Sequence, residues 1–215
     1  GSIRAAMDVF DNRGWSSELI VCDNHSTDRT SEIARVAGAK VVFEPVNQIA
    51  RARNAGAAHA NADWLIFVDA DSHPSPKLFA EVADAILGGR CLAGGSTVSF
   101  DDPRKKLMFM IGIWNALSRI NKWAAGAFMF CEAATFRELG GFNRDLYAAE
   151  EIDLFRRLKR VARHRGRTIV ILHRHPLRTS GRKLRLYTAR ELFTFIAKTI
   201  LGGGRTLSSS KECFA

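Results

Sequence analysis

The chain has 215 residues, 47% of them hydrophobic and 25% charged, enough for one sizeable domain with a real core. Its four cysteines (Cys22, Cys91, Cys131, Cys213) form no C-x-x-C pair, which argues against a zinc site or a disulfide framework and for a reducing compartment. The net charge of +10 is uneven: residues 154–190 hold thirteen Lys and Arg and no acid, and such a block suits nucleic acid, anionic lipid or a phosphorylated substrate.

In chain order, GSIRAAMDVFDN reads as a helix. A doubly wound sheet normally opens with a strand that would feed this helix, so a first strand is expected to be missing from the given chain. ELIVCD (18–23) is a strand, SEIARVA a helix stopped at Gly38, and AKVVFE (39–44) a second strand. An Ala- and Arg-rich helix covers 48–60, then WLIFVD (64–69) is a short apolar run of β-formers. PKLFAEVADAIL (76–87) is a helix, RCLAGGSTVSF (90–100) a strand, 104–120 a long helix and GAFMFC (126–131) a strand. Residues 133–139 form a short helix ended by Gly140-Gly141, 150–163 a helix, TIVIL (168–172) a strand and 187–201 an amphipathic helix. Alternating strands and helices over 18–88 argue βαβ units and a mostly parallel sheet. We read one domain over 1–201, with a nucleotide-binding half 1–100 and an acceptor half 101–201, and a flexible tail at 202–215. No signal peptide is visible, and the longest apolar stretches, such as 107–117, are too short to span a bilayer.

WLIFVD runs into Asp69-Ala70-Asp71, and Pro74 and Pro76 prevent the strand from continuing. Ligands of open α/β sheets sit outside the carboxyl ends of the strands. Two carboxylates there repel unless something positive lies between them. Mg²⁺ or Mn²⁺ would serve, taking oxygen ligands and leaving room for phosphate. The plainer alternative is two solvated acids in a turn, one capping the next helix.

Three further stretches bear on this choice: DNHSTDRT (23–30) after a strand, RARNAG (51–56) before the D-x-D strand, and GGFNRDLYAAEEIDL (140–154). Taken with the D-x-D, in this order, they resemble the family 2 glycosyltransferases of GT-A fold (D-[DN]-x-S-x-D-x-T, A-R-N-x-G, D-x-D, G-G-F and E-D-x-D-L), over about residues 18–160. The resemblance implies a GT-A, Rossmann-like sheet and inverting transfer of a sugar from a nucleoside-diphosphate sugar to an acceptor hydroxyl, with Mn²⁺ or Mg²⁺. It implies that Asp23 accepts a nucleobase N–H and that Arg53, in the A-R-N segment, meets the nucleotide. It implies that Asp71 ligates the metal, while Asp69 holds the ribose or supports the site. The second acid of E-D-x-D-L is the general base, here Glu151, with Glu150 the competing candidate because Glu stands where the family has Asp. A late histidine completes the metal shell in some members, and His175 or His173 would take that part. Arg178, Arg182 and Lys183, around Gly181, look like a mobile 173–183 loop able to close on a diphosphate.

For Asp23 and Asp28 the alternative is a turn or cap, which suits Asp28 better; for the acids at 150–153 it is the favourable dipole of a helix start. The acceptor is a sugar, a lipid or a small molecule, met by segments 104–125 and 184–215. A cytoplasmic location is expected, with peripheral contact to an anionic membrane possible and no nucleic acid partner. Rival functions are a sugar-nucleotide-forming nucleotidyltransferase and a non-catalytic nucleic-acid- or nucleotide-binding domain.

Overall fold

The computed structural model describes residues 1–100, 105–124 and 126–180, with residues 105–110 described only as backbone. The 187–201 helix, the 202–215 tail, Arg182 and Lys183 lie outside the described residues. The elements are α1 (Ser2–Asp11), β1 (Ile20–Asp23), α2 (Thr30–Val36), β2 (Lys40–Phe43), α3 (Ile49–Ala58), β3 (Trp64–Val68), β4 (Ser72–His73), α4 (Pro76–Leu87), β5 (Cys91–Phe100), α5 (Lys105–Asn121), β6 (Phe128–Glu132), α6 (Ala133–Glu138), α7 (Glu150–His164) and β7 (Thr168–Thr179).

Local chemistry explains the sharpest boundaries. α4 starts where Ser75 Oγ accepts the Leu78 N–H at 3.2 Å and Pro76 occupies the first turn, where its missing N–H costs nothing. Its inward face is Leu78, Phe79, Val82 and Ala83, all buried. Each large apolar side chain so buried contributes about 1.5–3 kcal/mol. α7 buries Ile152, Leu154, Phe155, Leu158 and Ala162, and its other faces carry charge.

β1 and β2 pair in parallel as a two-stranded sheet; the other strands form a five-stranded sheet of order β3-β6-β5-β7-β4. Among the described ladders β1–β2 and β5–β7 are parallel, while β3–β6, β5–β6 and β4–β7 are antiparallel. The α/β architecture is as expected, but the sheet is mixed rather than mostly parallel. The reason is that β6 returns antiparallel beside β3 after the excursion through α5, and β3 has its described ladder on one side only.

Two apolar layers cover the five-stranded sheet. One gathers Phe136, Phe142, Leu154, Phe155 and Leu158 around Leu65, Met129 and Cys131; the other gathers α1 and α4 around Phe128 and Phe130. Phe10 of α1 meets Phe79 of α4 at 5.3 Å between ring centroids. The layers come close because β5 has two consecutive glycines. A Cβ on Gly94 would lie 2.4 Å from Phe130 Cζ, and one on Gly95 would lie 2.4 Å from Ala124 Cβ.

β7 runs to Thr179, well past the expected 168–172 strand. Its pairing jumps from Ser96–Leu172 to Val98–Leu177, so His173, Arg174, His175 and Pro176 form an irregular stretch before the ladder resumes. Pro176 falls where no ladder N–H is required. Residues 173–179 are therefore strand and bulge rather than part of a mobile loop, a correction to the sequence-based expectation.

Candidate active site

The site forms where β1 and β3 end. Asp23, 7% exposed, closes β1. Its carboxylate accepts the Ser26 N–H at 2.9 Å and the hydroxyl of Ser31. These bonds, from Ser31 first, hold its pKa below the ordinary value. Asp28 makes the neighbouring cap, accepting the Thr30 N–H at 2.9 Å. The strand-end loop is further fixed by Asn24, which donates to the carbonyls of Glu44 (3.0 Å) and Val46 (2.6 Å) and accepts the Gln48 N–H. Gln48, buried, then donates to the carbonyls of Arg144 and Leu146 across the chain.

Arg53, on α3, is the hub. Its guanidinium donates to Asp69 Oδ1 at 2.9 Å, to Glu150 Oε1 at 2.7 Å and to the Gly126 carbonyl at 2.8 Å. It lies 5.3 Å from the Phe142 ring centroid, within cation–π range. Its side chain is 10% exposed and that of Glu150 5%, so this is a nearly buried network. The planar five-donor fork of arginine suits three acceptors in three directions; a lysine could not copy it.

Asp69 lies just past β3, its N–H bonded to the Ala127 carbonyl. Asp71, two residues on, takes a 3.5 Å contact from the Thr179 hydroxyl, and its backbone carbonyl accepts the Ser180 N–H. The two-residue strand β4 anchors this stretch: Ser72 and His73 pair with Thr179 and Arg178. Asp71 is thus held by the end of β7, and Asp69 by Arg53.

α7 begins at Ala149, whose φ of 61° is left-handed, a strained conformation for a residue with a Cβ. The turn aims the first helical residues at Arg53. Glu150 is buried and ion-paired; Glu151, partly buried, takes a bond from its own backbone N–H and has no ion pair to its carboxylate among the described residues. A Cβ on Gly126 would approach Glu151 Oε1 to 3.3 Å and Arg53 Nη2 to 3.6 Å, which places Glu151 beside the hub without a bond to it. Burial, then the charge of Glu150, pushes the Glu151 pKa up to about 7, with Arg53 opposing. Asp153 turns away from the hub: Arg157 bonds it and also the Leu139 and Gly141 carbonyls, so this acid supports the G-G-F turn.

Sequence-predicted residues Arg53, Asp69, Glu150 and Glu151 converge; Asp23 closes β1, and Asp71 follows Asp69 by two residues. His175 does not join them. Its Nδ1 meets Glu81 Oε1 of α4, and it lies five residues before Ser180, which contacts Asp71. Along a strand that is on the order of 15 Å. Sequence reasoning missed Asn54, next to Arg53. Its side chain accepts the Phe142 N–H at 2.9 Å and donates to the Phe142 carbonyl at 2.8 Å, pinning the G-G-F turn to α3. A Cβ on Gly141 would stand 2.5 Å from Asn54 Oδ1, so glycine there admits the amide. The A-R-N segment was visible; the division of labour within it was not. An open pocket of about 270 Å³ adjoins this turn, lined by Leu139, Gly140, Gly141, Asn143, Asp153 and Arg157.

No group of three or more His, Cys, Asp or Glu side chains able to hold a metal occurs among the described residues. Asp71, with oxygens uncommitted to strong bonds, nevertheless fits a hard cation that keeps places for substrate oxygens. No helix among the described residues is long and apolar enough to cross a membrane.

The model of glycosyl transferase family 2 matches residues 5–139. An uncharacterized glycosyltransferase of Rickettsia typhi is 33% identical over 79 residues, 37% of this chain and 27% of that protein. Staphylococcus aureus TarS, solved with UDP, superposes with a TM-score of 0.57 at 19% identity, covering 76% of this chain and 51% of that one. Glucosyl-3-phosphoglycerate synthase of Mycobacterium tuberculosis, solved with Mn²⁺, UDP and phosphoglyceric acid, superposes with a TM-score of 0.60 at 19% identity, covering 98% of this chain and 76% of that one. The similarity to solved structures concerns fold. The match to the Rickettsia protein spans about a quarter of that protein's length.

Proposed function

The chain belongs to glycosyl transferase family 2, and from that premise we propose that it moves a sugar from a nucleoside-diphosphate sugar to an acceptor hydroxyl, inverting the anomeric carbon. The observation that carries this reading is Glu151, partly buried and without an ion pair among the described residues, beside a Glu150 already held by Arg53 and near Asp69.

Glu151 is the general base. An acceptor hydroxyl attacks the anomeric carbon as its proton passes to the Glu151 carboxylate; a new C–O bond forms and the bond to the diphosphate oxygen breaks, its electron pair leaving with the nucleoside diphosphate. A base with a pKa near the working pH is well matched to this step. Glu150 is a poorer candidate because its carboxylate is already bonded to Arg53. Its part is to fix Arg53, which in turn orients Asp69.

Asp71, with support from Asp69, would hold Mn²⁺ or Mg²⁺. When bound, such an ion supplies positive charge against the charge that develops on the departing diphosphate. Asp23 would accept an N–H of the nucleobase through a lone pair that its bonds to Ser26 and Ser31 leave over. Support for a metal and a nucleotide comes from the Mn²⁺ and UDP in the M. tuberculosis neighbour. Peripheral contact with an anionic membrane belongs to the same reading.

Calorimetry with UDP, GDP and dTDP in the presence and absence of Mn²⁺ tests it. One of them is expected to bind in a Mn²⁺-dependent manner, and Asp71→Ala is expected to abolish the metal dependence. Equal affinity in wild type and variant would sink the assignment.

A further inference from the structure

We propose that the outer face of α5, together with the adjoining cationic face of α7, docks the protein on an anionic bilayer. α5 is seated by Ile111, Trp114, Asn115 and Ser118: Asn115 bonds both the N–H and the carbonyl of Val98 (3.1 and 3.0 Å), and Ser118 bonds the Trp123 carbonyl. The opposite side of the helix carries Ile113, Ala116 and Ile120, spaced by three and four residues and therefore in one stripe. Ile113 is 45% exposed and Ile120 77%. A surface helix that already packs through Ile111 and Trp114 and still turns two isoleucines outward carries apolar surface beyond its amphipathic face.

Cations cluster at the C-terminal end of that stripe. Arg119 and Lys122 are exposed at the end of α5. Lys159 of α7 ties the two helices together, donating to the Asn121 carbonyl and standing 5.5 Å from the Trp123 ring centroid. Burial first, then Arg156 and Lys122, lower the Lys159 pKa, so like charges crowd at this seam. Arg163 lies one turn beyond Lys159, and Arg160 one residue beyond it, both exposed. Residues 103–131 and 154–190 contain no acid.

Exposed apolar side chains next to Lys and Arg match a surface that offers phosphate charge above and hydrocarbon below. A nucleic acid backbone would use the cations but gain little from Ile113 and Ile120. Gly126, five residues beyond the end of α5, stands beside Glu151, which links this surface to the base side of the cleft. That link rests on Glu151 being the base; the surface itself does not.

Vesicle flotation of the full chain tests the proposal. Vesicles of phosphatidylcholine with phosphatidylglycerol are expected to carry it, those of phosphatidylcholine alone are not, and salt is expected to weaken binding. Lys122→Glu is expected to weaken partition at least fivefold, and Ile120→Asp about tenfold or more. Both positions are exposed, so both variants are expected to keep the wild-type melting temperature and UDP–Mn²⁺ affinity, which separates failure of this surface from failure of the glycosyl-transfer reading. The proposal is overturned if the two vesicle types bind alike, if Ile120→Asp partitions as wild type, or if random duplex DNA displaces the vesicles and binds Ile120→Asp undiminished.

Discussion

The cleft and the α5–α7 face use charge in opposite ways. In the cleft one guanidinium serves two carboxylates and a carbonyl, all within 2.9 Å, and the network is nearly closed to water. On the α5–α7 face Lys159 is crowded by Arg156 and Lys122, and the other cations stand in solvent. The difference teaches that arginine content does not by itself predict what an arginine does: Arg53 holds up the site, whereas Arg160 and Arg163 decorate a surface. Substitutions should separate the two.

The largest effect is expected at the hub. Arg53→Ala leaves Glu150 buried and charged with no partner, and breaking such a pair costs about 3–5 kcal/mol. Arg163→Ala, on the exposed face, should stay within about 0.5 kcal/mol of wild type. Denaturant unfolding of both variants measures the contrast; if they melt alike, the cleft network does not hold the fold.

A smaller effect, on rate rather than stability, is expected one residue further along α7. Glu151→Gln should lower kcat about 100-fold or more while leaving donor affinity nearly intact. Glu150→Gln should show itself mainly as lost stability, because it removes a partner of Arg53. If instead Glu150→Gln abolishes turnover and Glu151→Gln does not, the base is Glu150. The pH dependence follows with its sign. Burial and the Glu150 charge raise the Glu151 pKa to about 7, so the base becomes competent only as pH rises through that value, and kcat should climb with it. The same shift works against the fold: an acid with a raised folded pKa withdraws stability as pH rises from the ordinary glutamate range to about 7.

The smallest effect is expected at Ala149. Its φ of 61° costs an L-residue about 1–2 kcal/mol, partly offset because glycine loses more entropy on folding. Ala149→Gly should leave stability unchanged or raise it by about 1 kcal/mol. A loss greater than that would mean the buried methyl group matters more than the turn.

Much of the frame was legible in the sequence because its signals are local. Ser75-Pro76 starts α4 at the residue expected, and the Glu150 start of α7 followed from acids ahead of an apolar stripe. The acidic landmarks were legible too, and they do gather at the strand ends. What escaped was non-local. Nothing near Arg53 announces a bond to a residue 97 positions away. Pro176 and two histidines looked like a loop, and only the jump in register against β5 lets a strand pass through them. His175 was expected near a metal because a late histidine completes the metal shell in some members of the family it resembles; its position on β7 sends it to Glu81 instead. β4 escaped because a two-residue strand has no periodicity to detect.

Asn54 has a consequence for how this turn can change over time. By bonding both the N–H and the carbonyl of Phe142, 88 residues away, it does for one residue what a neighbouring strand would do for several. The turn therefore takes its place from α3, and from Arg157 of α7, as well as from its own flanks. The chain just beyond is clasped in the same way, by Gln48 through the Arg144 and Leu146 carbonyls, so a loop swap here would have to carry Asn54, Arg157 and Gln48 with it to leave the cleft unchanged.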